Sequence, residues 1–186
     1  MLDAAEDVIR RIGPDVSLSS IAEAAGITKP SVYARVGGRQ QLATALAARF
    51  TERLVDATRT EIADASTGRE ALVATIRVAL DHIDRHRELF LYVTAGNTSN
   101  DRLSLAKLAV EPLTRQLSRW GEASERRPVS ESTAEAWSVA VVGMIDFGAL
   151  WSTPDDARPA DVLADQLADL LWTGLAGRPP ASDATA

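Results

Sequence analysis

The chain has 186 residues, of which 46% are hydrophobic, and its formal net charge is −6. This size allows one domain, or a small and a larger unit, with a sizeable buried core. The net charge argues against binding nucleic acid or an anionic membrane over the whole surface. The sequence contains no cysteine, which excludes disulfides and thiolate metal sites and fits a cytoplasmic location. The charged start "MLDAAEDVIRR" lacks the uninterrupted apolar core of a signal peptide.

The charges are unevenly distributed. Residues 1–50 hold six basic and five acidic residues, whereas the other 136 hold 14 basic and 21 acidic ones. Between residues 19 and 49, four basic side chains are offset only by Glu23, so this segment carries a local charge of +3. An acidic protein therefore holds one basic segment close to its start.

Apolar residues recur three and four positions apart through most of the chain, and no β-alternation is sustained. This pattern predicts an all-α protein of about nine helices. The first helix is predicted from about Leu2 to Ile12, where Gly13 and Pro14 stop it. Further helices are predicted at about 18–25, 28–36, 40–64, 69–86, 88–95, 102–120, 131–152 and 159–176. The stretch 96–101 is predicted to be a loop, and residues 178–186 a disordered tail.

The two short helices predicted between residues 18 and 36 have the features of a helix-turn-helix motif. Ser17 and Thr28 are each placed to cap a helix, and Gly26 can adopt the left-handed conformation that ends the first one. Apolar residues form the packed side, namely Ile21, Ala22, Ala25, Ile27, Val32 and Val36. The second helix then exposes Lys29, Ser31, Tyr33 and Arg35, which can meet phosphates and base edges in the major groove.

Residues 2–46 resemble the DNA-binding domain of the TetR family of transcriptional regulators. The resemblance rests on Ser17, on "IAEAAGIT", on Tyr33 and on "GRQQL". The rest of the chain is similar to the family in helical architecture alone. The resemblance implies a three-helix DNA-binding domain at 1–46 and a larger effector-binding and dimerisation domain at 47–177.

Site residues follow from the same resemblance. The matched positions imply DNA contacts by Thr28, Lys29, Pro30, Ser31 and Tyr33, and a phosphate contact by Arg39. Arg35 stands where many members have His and could reach either a phosphate or a guanine. The chain departs from the pattern by Val36 in place of Phe and by Gly38 in place of a capping residue, which predicts a less rigid start of the next helix. Most members also carry a basic arm before the first helix, so this chain has either a start placed too far downstream or weaker DNA binding.

The helix predicted at 131–152 is apolar on all sides between Ala136 and Trp151 except at Ser138 and Asp146. This run is too short for a membrane span of about 20 apolar residues, so we expect it to be buried. Together with the last helix it predicts a four-helix dimer interface, although the core of a large monomer is the alternative. The expected interface residues are Trp151, Leu163, Leu167, Leu170 and Leu171.

Aromatic residues on the same helices suit an apolar effector pocket. The candidate effector contacts are Tyr92, Trp120, Trp137, Met144, Asp146 and Phe147. Plain packing is the alternative for each aromatic residue, and Asp146 should be paired either across the dimer or with a donor of the effector. His82 and His86 share a helical face but lack the other ligands of a metal site. No metal, cofactor or catalytic residue is expected.

These features together predict a homodimeric repressor that binds a palindromic, double-stranded DNA operator and is released by a small apolar or amphipathic effector. An activator, or a regulator without an effector, remains open. The other alternative is a helical small-molecule-binding or enzymatic protein whose helix-turn-helix has lost its affinity for DNA.

Overall fold

The computed structural model describes residues 1–95, 99–123, 130–151 and 159–176, without the side chains of 95, 99–106, 120–123 and 173–176. The described part contains nine helices and no strand, which confirms the all-α prediction. The helices are α1 (Leu2–Ile12), α2 (Leu18–Ala24), α3 (Lys29–Val36), α4 (Arg39–Ile62), α5 (Gly68–Arg85), α6 (Arg87–Ala95), α7 (Ser99–Ala123), α8 (Glu131–Trp151) and α9 (Ala160–Ala176). The predicted tail lies outside the described residues.

Most predicted boundaries agree with the observed ones within two residues, and α7 differs most. It begins at Ser99, inside the stretch predicted as a loop, and it continues to Ala123. Polar residues such as Ser, Asn and Asp are favoured both in loops and at the first positions of helices, so their presence alone did not locate the boundary.

Helices α1, α2 and α3 pack together as a small unit at the start of the chain. Ile9, Ile21 and Val32 have no exposed surface, and Leu42 and Leu46 of α4 are equally buried in the same core cluster as Ile9 and Ile21. Burial of side chains of this size stabilises a fold by roughly 1.5–3 kcal/mol each. The first turns of α4 therefore belong to the small unit.

Helix α4 is shared between the small unit and the rest of the protein. Arg49 and Arg53 form ion pairs with Glu6 of α1, and the later turns of α4 pack against α5 and α7. At its start, the Gln41 side chain accepts a hydrogen bond from the Gly38 N–H at 2.9 Å. Gln41 thus provides a contact at the helix start although Gly38 has no side chain to act as a cap.

The larger unit is a helical bundle in which α7 packs on α8, α5 packs on α9, and α4 packs on α5. Helix α5 occupies the middle, with Leu72 and Ile76 buried. A capping box fixes its start, because Thr67 Oγ1 accepts from the Glu70 N–H and the Glu70 carboxylate accepts from the Thr67 N–H. Helix α6 leads back to the small unit and contacts both α1 and α4.

Candidate nucleic-acid interface and effector cavity

The turn between α2 and α3 has the geometry that the sequence predicted. Ser17 Oγ accepts from the Ser20 N–H at 3.1 Å at the start of α2, and Gly26 adopts a φ of +65° after its end. Thr28 Oγ1 then accepts from the Ser31 N–H at 3.4 Å at the start of α3. Each contact is local, so short sequence patterns were sufficient to anticipate it.

Helix α3 presents a polar surface to solvent while Val32 anchors its inner side. Thr28, Pro30 and Ser31 stand at its first turn, and Ser31 is half-buried with its hydroxyl 2.9 Å from Thr28 Oγ1. Lys29, Tyr33 and Arg35 of the same helix are exposed, and Tyr33 is 49% exposed. The predicted DNA contacts on α3 thus stand at one accessible helix, and their contact with DNA stays a prediction.

Arg39, the predicted phosphate ligand, has partners within the protein. Its guanidinium donates to the Val16 carbonyl at 2.6 Å and to the Pro14 carbonyl at 2.9 Å. It also lies 4.6 Å from the centre of the Tyr92 ring, within the range of a cation–π contact. Arg39 therefore joins the loop before α2, the start of α4 and helix α6, and its phosphate contact stays a prediction.

Tyr92, a predicted effector contact, lies on α6 where Arg39 connects the small unit to this helix. It is 1% exposed, and its hydroxyl is buried without a hydrogen-bond partner among the described residues. Burial raises the pKa of the Tyr92 hydroxyl, and the nearby Arg39 charge lowers it by less. No sequence pattern indicated the Arg39–Tyr92 contact, because the two residues are 53 positions apart in the chain.

A cavity of about 200 Å³ lies among α4, α5, α7 and α8 in the larger unit. Its apolar wall includes Leu54, Ile62, Ala79, Leu113, Val142 and Ile145. Its polar lining includes Thr58, Thr75, Gln116 and three arginines, Arg59, Arg115 and Arg119. An apolar enclosure with few polar groups is the usual form of a small-molecule site.

The predicted effector residues whose side chains are described do not line this cavity. Helix α8 contributes Val142 and Ile145 to the wall, whereas the predicted residues of α8 are Trp137, Met144, Asp146 and Phe147. Tyr92 instead contacts Arg39, and the Trp120 side chain lies outside the described part. The apolar pattern of α8 runs around the whole helix, so the sequence could not show which side faces the cavity.

Asp146 is partly buried on α8 and makes no hydrogen bond or ion pair with another described residue. Burial raises the pKa of its carboxyl group to about 6. The two partners expected from the sequence, one across a dimer and one on an effector, both lie outside this chain and stay predictions.

Helices α8 and α9 leave large apolar side chains exposed. They are Val139, Phe147, Leu150 and Trp151 on α8, and Val162 and Leu170 on α9. Trp151 is 78% exposed and its ring stacks on Phe147 with centroids 6.0 Å apart. Of the predicted interface residues, Trp151 and Leu170 are thus exposed, whereas Leu163, Leu167 and Leu171 are half-buried against the core of the chain.

Helix α8 is also long and apolar enough to cross a membrane when only its length and composition are considered, with a mean hydropathy of 1.3. The core helix of a folded bundle meets the same criteria, and α8 packs against α7 and α5. What the packing within this chain does not account for is the row of apolar side chains that α8 leaves exposed.

His82 and His86 pack together beside Phe50. Their ring centroids are 4.8 Å apart, and His82 lies 4.5 Å from the Phe50 ring in an edge-to-face contact. Burial, and next the charge of His86, lower the pKa of His82 to about 4. Among the described residues, no cluster of three potential metal ligands is found.

A helix-turn-helix joined to a larger helical body is the arrangement of one class of protein, the DNA-binding regulators. Residues 1–46 match the family model of bacterial regulatory proteins of the tetR family. This part of the chain therefore matches the DNA-binding domain of TetR-family transcriptional regulators, as the sequence suggested. The family consists of regulators, which are not enzymes.

Individual relatives support this assignment. An uncharacterized HTH-type transcriptional regulator of Mycobacterium tuberculosis is 26% identical, over 95% of this chain and 76% of its own length. The transcriptional regulator FadR of Bacillus subtilis, solved with stearoyl-CoA, has the same fold, with a TM-score of 0.72 at 18% identity over 93% of this chain and 96% of its own. AibR, solved with isovaleryl coenzyme A and operator DNA, gives a TM-score of 0.60 at 20% identity over 91% and 94%.

Proposed function

We propose that this regulator is a cytoplasmic, homodimeric repressor that binds a palindromic operator and is released by a small apolar or amphipathic effector. The observation that carries the proposal is the capped, exposed helix α3 on a small unit joined by α4 to a body with an apolar cavity. The DNA contacts would come from Thr28, Lys29, Pro30, Ser31, Tyr33 and Arg35, with Arg39 at a phosphate.

The exposed apolar rows of α8 and α9 support the homodimer. Large exposed apolar patches on a soluble protein mark interaction sites, and a second copy of the same chain offers the same surface. In a twofold dimer the two recognition helices would stand about 34 Å apart, which is one turn of DNA and explains the expected palindrome.

The cavity supports control by an effector. It is bordered by the later turns of α4, and the first turns of the same helix carry the small unit. An effector that binds one arrangement of the bundle more tightly would shift the population toward it and change the spacing of the two α3 helices. The coenzyme A complexes of FadR and AibR support an effector with an apolar part.

Selection from a randomised duplex library tests the DNA-binding part. We expect a palindrome to be enriched, and its affinity to fall steeply with salt because Lys and Arg displace counterions from phosphates. Tyr33→Ala should abolish tight binding, and Lys29→Ala should weaken it for all sequences and reduce the salt slope by about one. Lys107→Ala, an exposed cation on α7, serves as the matched control. Failure to enrich any sequence at low salt would reject this function and favour a ligand-binding protein that has lost its DNA affinity.

A further inference from the structure

We infer that the cavity among α4, α5, α7 and α8 selects short apolar molecules that carry a negative charge at one end. The inference rests on the proposed function, since it names the chemical class of the effector. The apolar wall would hold the hydrocarbon part, and the arginines and Gln116 would hold the anionic end.

The charged residues of the lining all have the same sign. Arg59, Arg115 and Arg119 border the cavity, and the described lining contains no aspartate or glutamate. This is unexpected in a protein whose net charge is −6. A cationic molecule would meet repulsion at this cavity, whereas an anion would be attracted.

Arg119 is the cation most available to a ligand. Arg59 pairs with Asp56 at 3.0 Å and Arg115 pairs with Glu111 at 2.6 Å, so both charges are partly offset. Arg119, one helical turn after Arg115 on α7, forms no ion pair with a described residue. Its guanidinium can form paired hydrogen bonds with a carboxylate or a phosphate.

Gln116 provides an independent indication of an acceptor on the ligand. Its Nε2 atom is buried and has no hydrogen-bond partner among the described residues. The same side chain lines the cavity, between Arg115 and Arg119 in sequence. A buried donor without a partner is unfavourable, and an oxygen of the ligand would satisfy it, whereas an ammonium head group has no lone pair to offer.

The size of the cavity limits the length of the apolar part of the ligand. Its volume of about 200 Å³ is below the roughly 300–1,000 Å³ of sites that enclose whole drug-sized ligands. A short chain inside, with its charged end toward the arginines, fits this volume. A free carboxylic acid and a thioester of a phosphate-rich carrier share this chemistry, and the test below distinguishes them.

Calorimetric titration of the full-length protein with four eight-carbon probes tests the inference. The probes are octanoate, octanoyl-coenzyme A, 1-octanol and octyltrimethylammonium, which differ in the charge of the head group. We expect at least one anionic probe to bind ten or more times tighter than both the neutral and the cationic one. Tight binding of octanoate alone would identify a free acid, and tight binding of octanoyl-coenzyme A alone would identify a thioester.

Two variants locate the charge recognition. Arg119→Gln should lower the affinity for the preferred anionic probe about three- to tenfold, because it removes the positive charge. It should leave the affinity for octanol unchanged, because the glutamine side chain is still polar. Gln116→Leu should lower the affinity for probes that offer a hydrogen-bond acceptor, since it removes the amide donor at nearly constant side-chain volume. Lys107→Gln removes an exposed cation of α7 that does not border the cavity, and it should change none of the affinities.

The outcomes separate this inference from the proposed function. If octanol binds as tightly as the anions and lowers operator affinity, the cavity is an effector site without charge selection and the inference is wrong. If no probe binds, the inference is also wrong, while the operator selection still decides whether the protein reads DNA. Equal loss of affinity in the Lys107→Gln control would show that the anions bind to the surface charge of α7 instead.

Discussion

At the scale of single residues, Arg39 connects three parts of the chain, because its guanidinium contacts the Pro14 and Val16 carbonyls and the Tyr92 ring. Helix caps involve neighbours three residues apart and can be read from a short pattern. The partners of Arg39 are set by how the start of α4 packs against the loop before α2 and against α6, and no local pattern encodes that packing.

His82 should make stability depend on pH. Its pKa in the folded protein is about 4, below the ordinary value of 6.5, so the unfolded chain binds the proton more readily. Stability from the neutral ring is therefore complete above about pH 6.5 and is lost as the pH falls toward 4. We expect wild type to lose up to about 3 kcal/mol more than His82→Gln over this window, measured by urea unfolding at fixed protein concentration. Parallel pH profiles of the two proteins would contradict this.

Asp146 should have the opposite pH dependence. Its pKa of about 6 exceeds the ordinary 3.8, so the folded state binds the proton more tightly and ionisation weakens the fold. We expect Asp146→Asn to increase the free energy of unfolding by about 1–2 kcal/mol at pH 8, a value reduced for partial exposure. The gain should shrink as the pH falls from 6 to 3.8. Thermal unfolding at several pH values measures it, and a loss of stability at pH 8 would instead reveal a cationic partner of Asp146.

At the scale of elements, α2, the turn and α3 followed from the sequence, whereas the orientation of α8 did not. The turn is specified by a glycine that adopts a positive φ and by two hydroxyls that each cap the start of a helix. Helix α8 is apolar around its whole circumference, so its pattern predicted a helix but not which residues face the cavity. Val142 and Ile145 line it, and Phe147 and Trp151 are exposed instead.

Gly26 provides a test of the turn. Its φ is +65°, and a Cβ added there would meet no atom within 4 Å, so a substitution introduces backbone strain without a clash. We expect Gly26→Ala to lower the free energy of unfolding by about 1 kcal/mol and to weaken operator binding through displacement of α3. Gly26→Asn is the matched control, because asparagine tolerates this conformation better. Chemical denaturation measures both, and equal losses would point to a cause other than the backbone angle.

At the scale of the whole molecule, the exposed apolar rows of α8 and α9 are the main feature that a single chain leaves unexplained. Double substitution of Phe147→Glu and Leu170→Glu places a charge on each row, where both side chains are about two-thirds exposed, at 65% and 66%. We expect the variant to stay helical but to sediment as a monomer and to bind the operator more weakly, because buried charges oppose association. Ile12→Glu, at an exposed apolar residue of α1, is the control. A variant that remains dimeric would place the interface elsewhere.

The continuity of α4 also restricts how the chain length can change. Its 24 residues run without a break from the small unit to the cavity, so both ends share one helical phase. Inserting a single residue near Phe50 would turn one end by about 100° relative to the other, and only an insertion close to whole turns, such as about seven residues for two turns, would nearly restore the phase. The connection between the DNA-binding unit and the cavity can therefore be adjusted by exchanging side chains, but hardly by lengthening or shortening this helix.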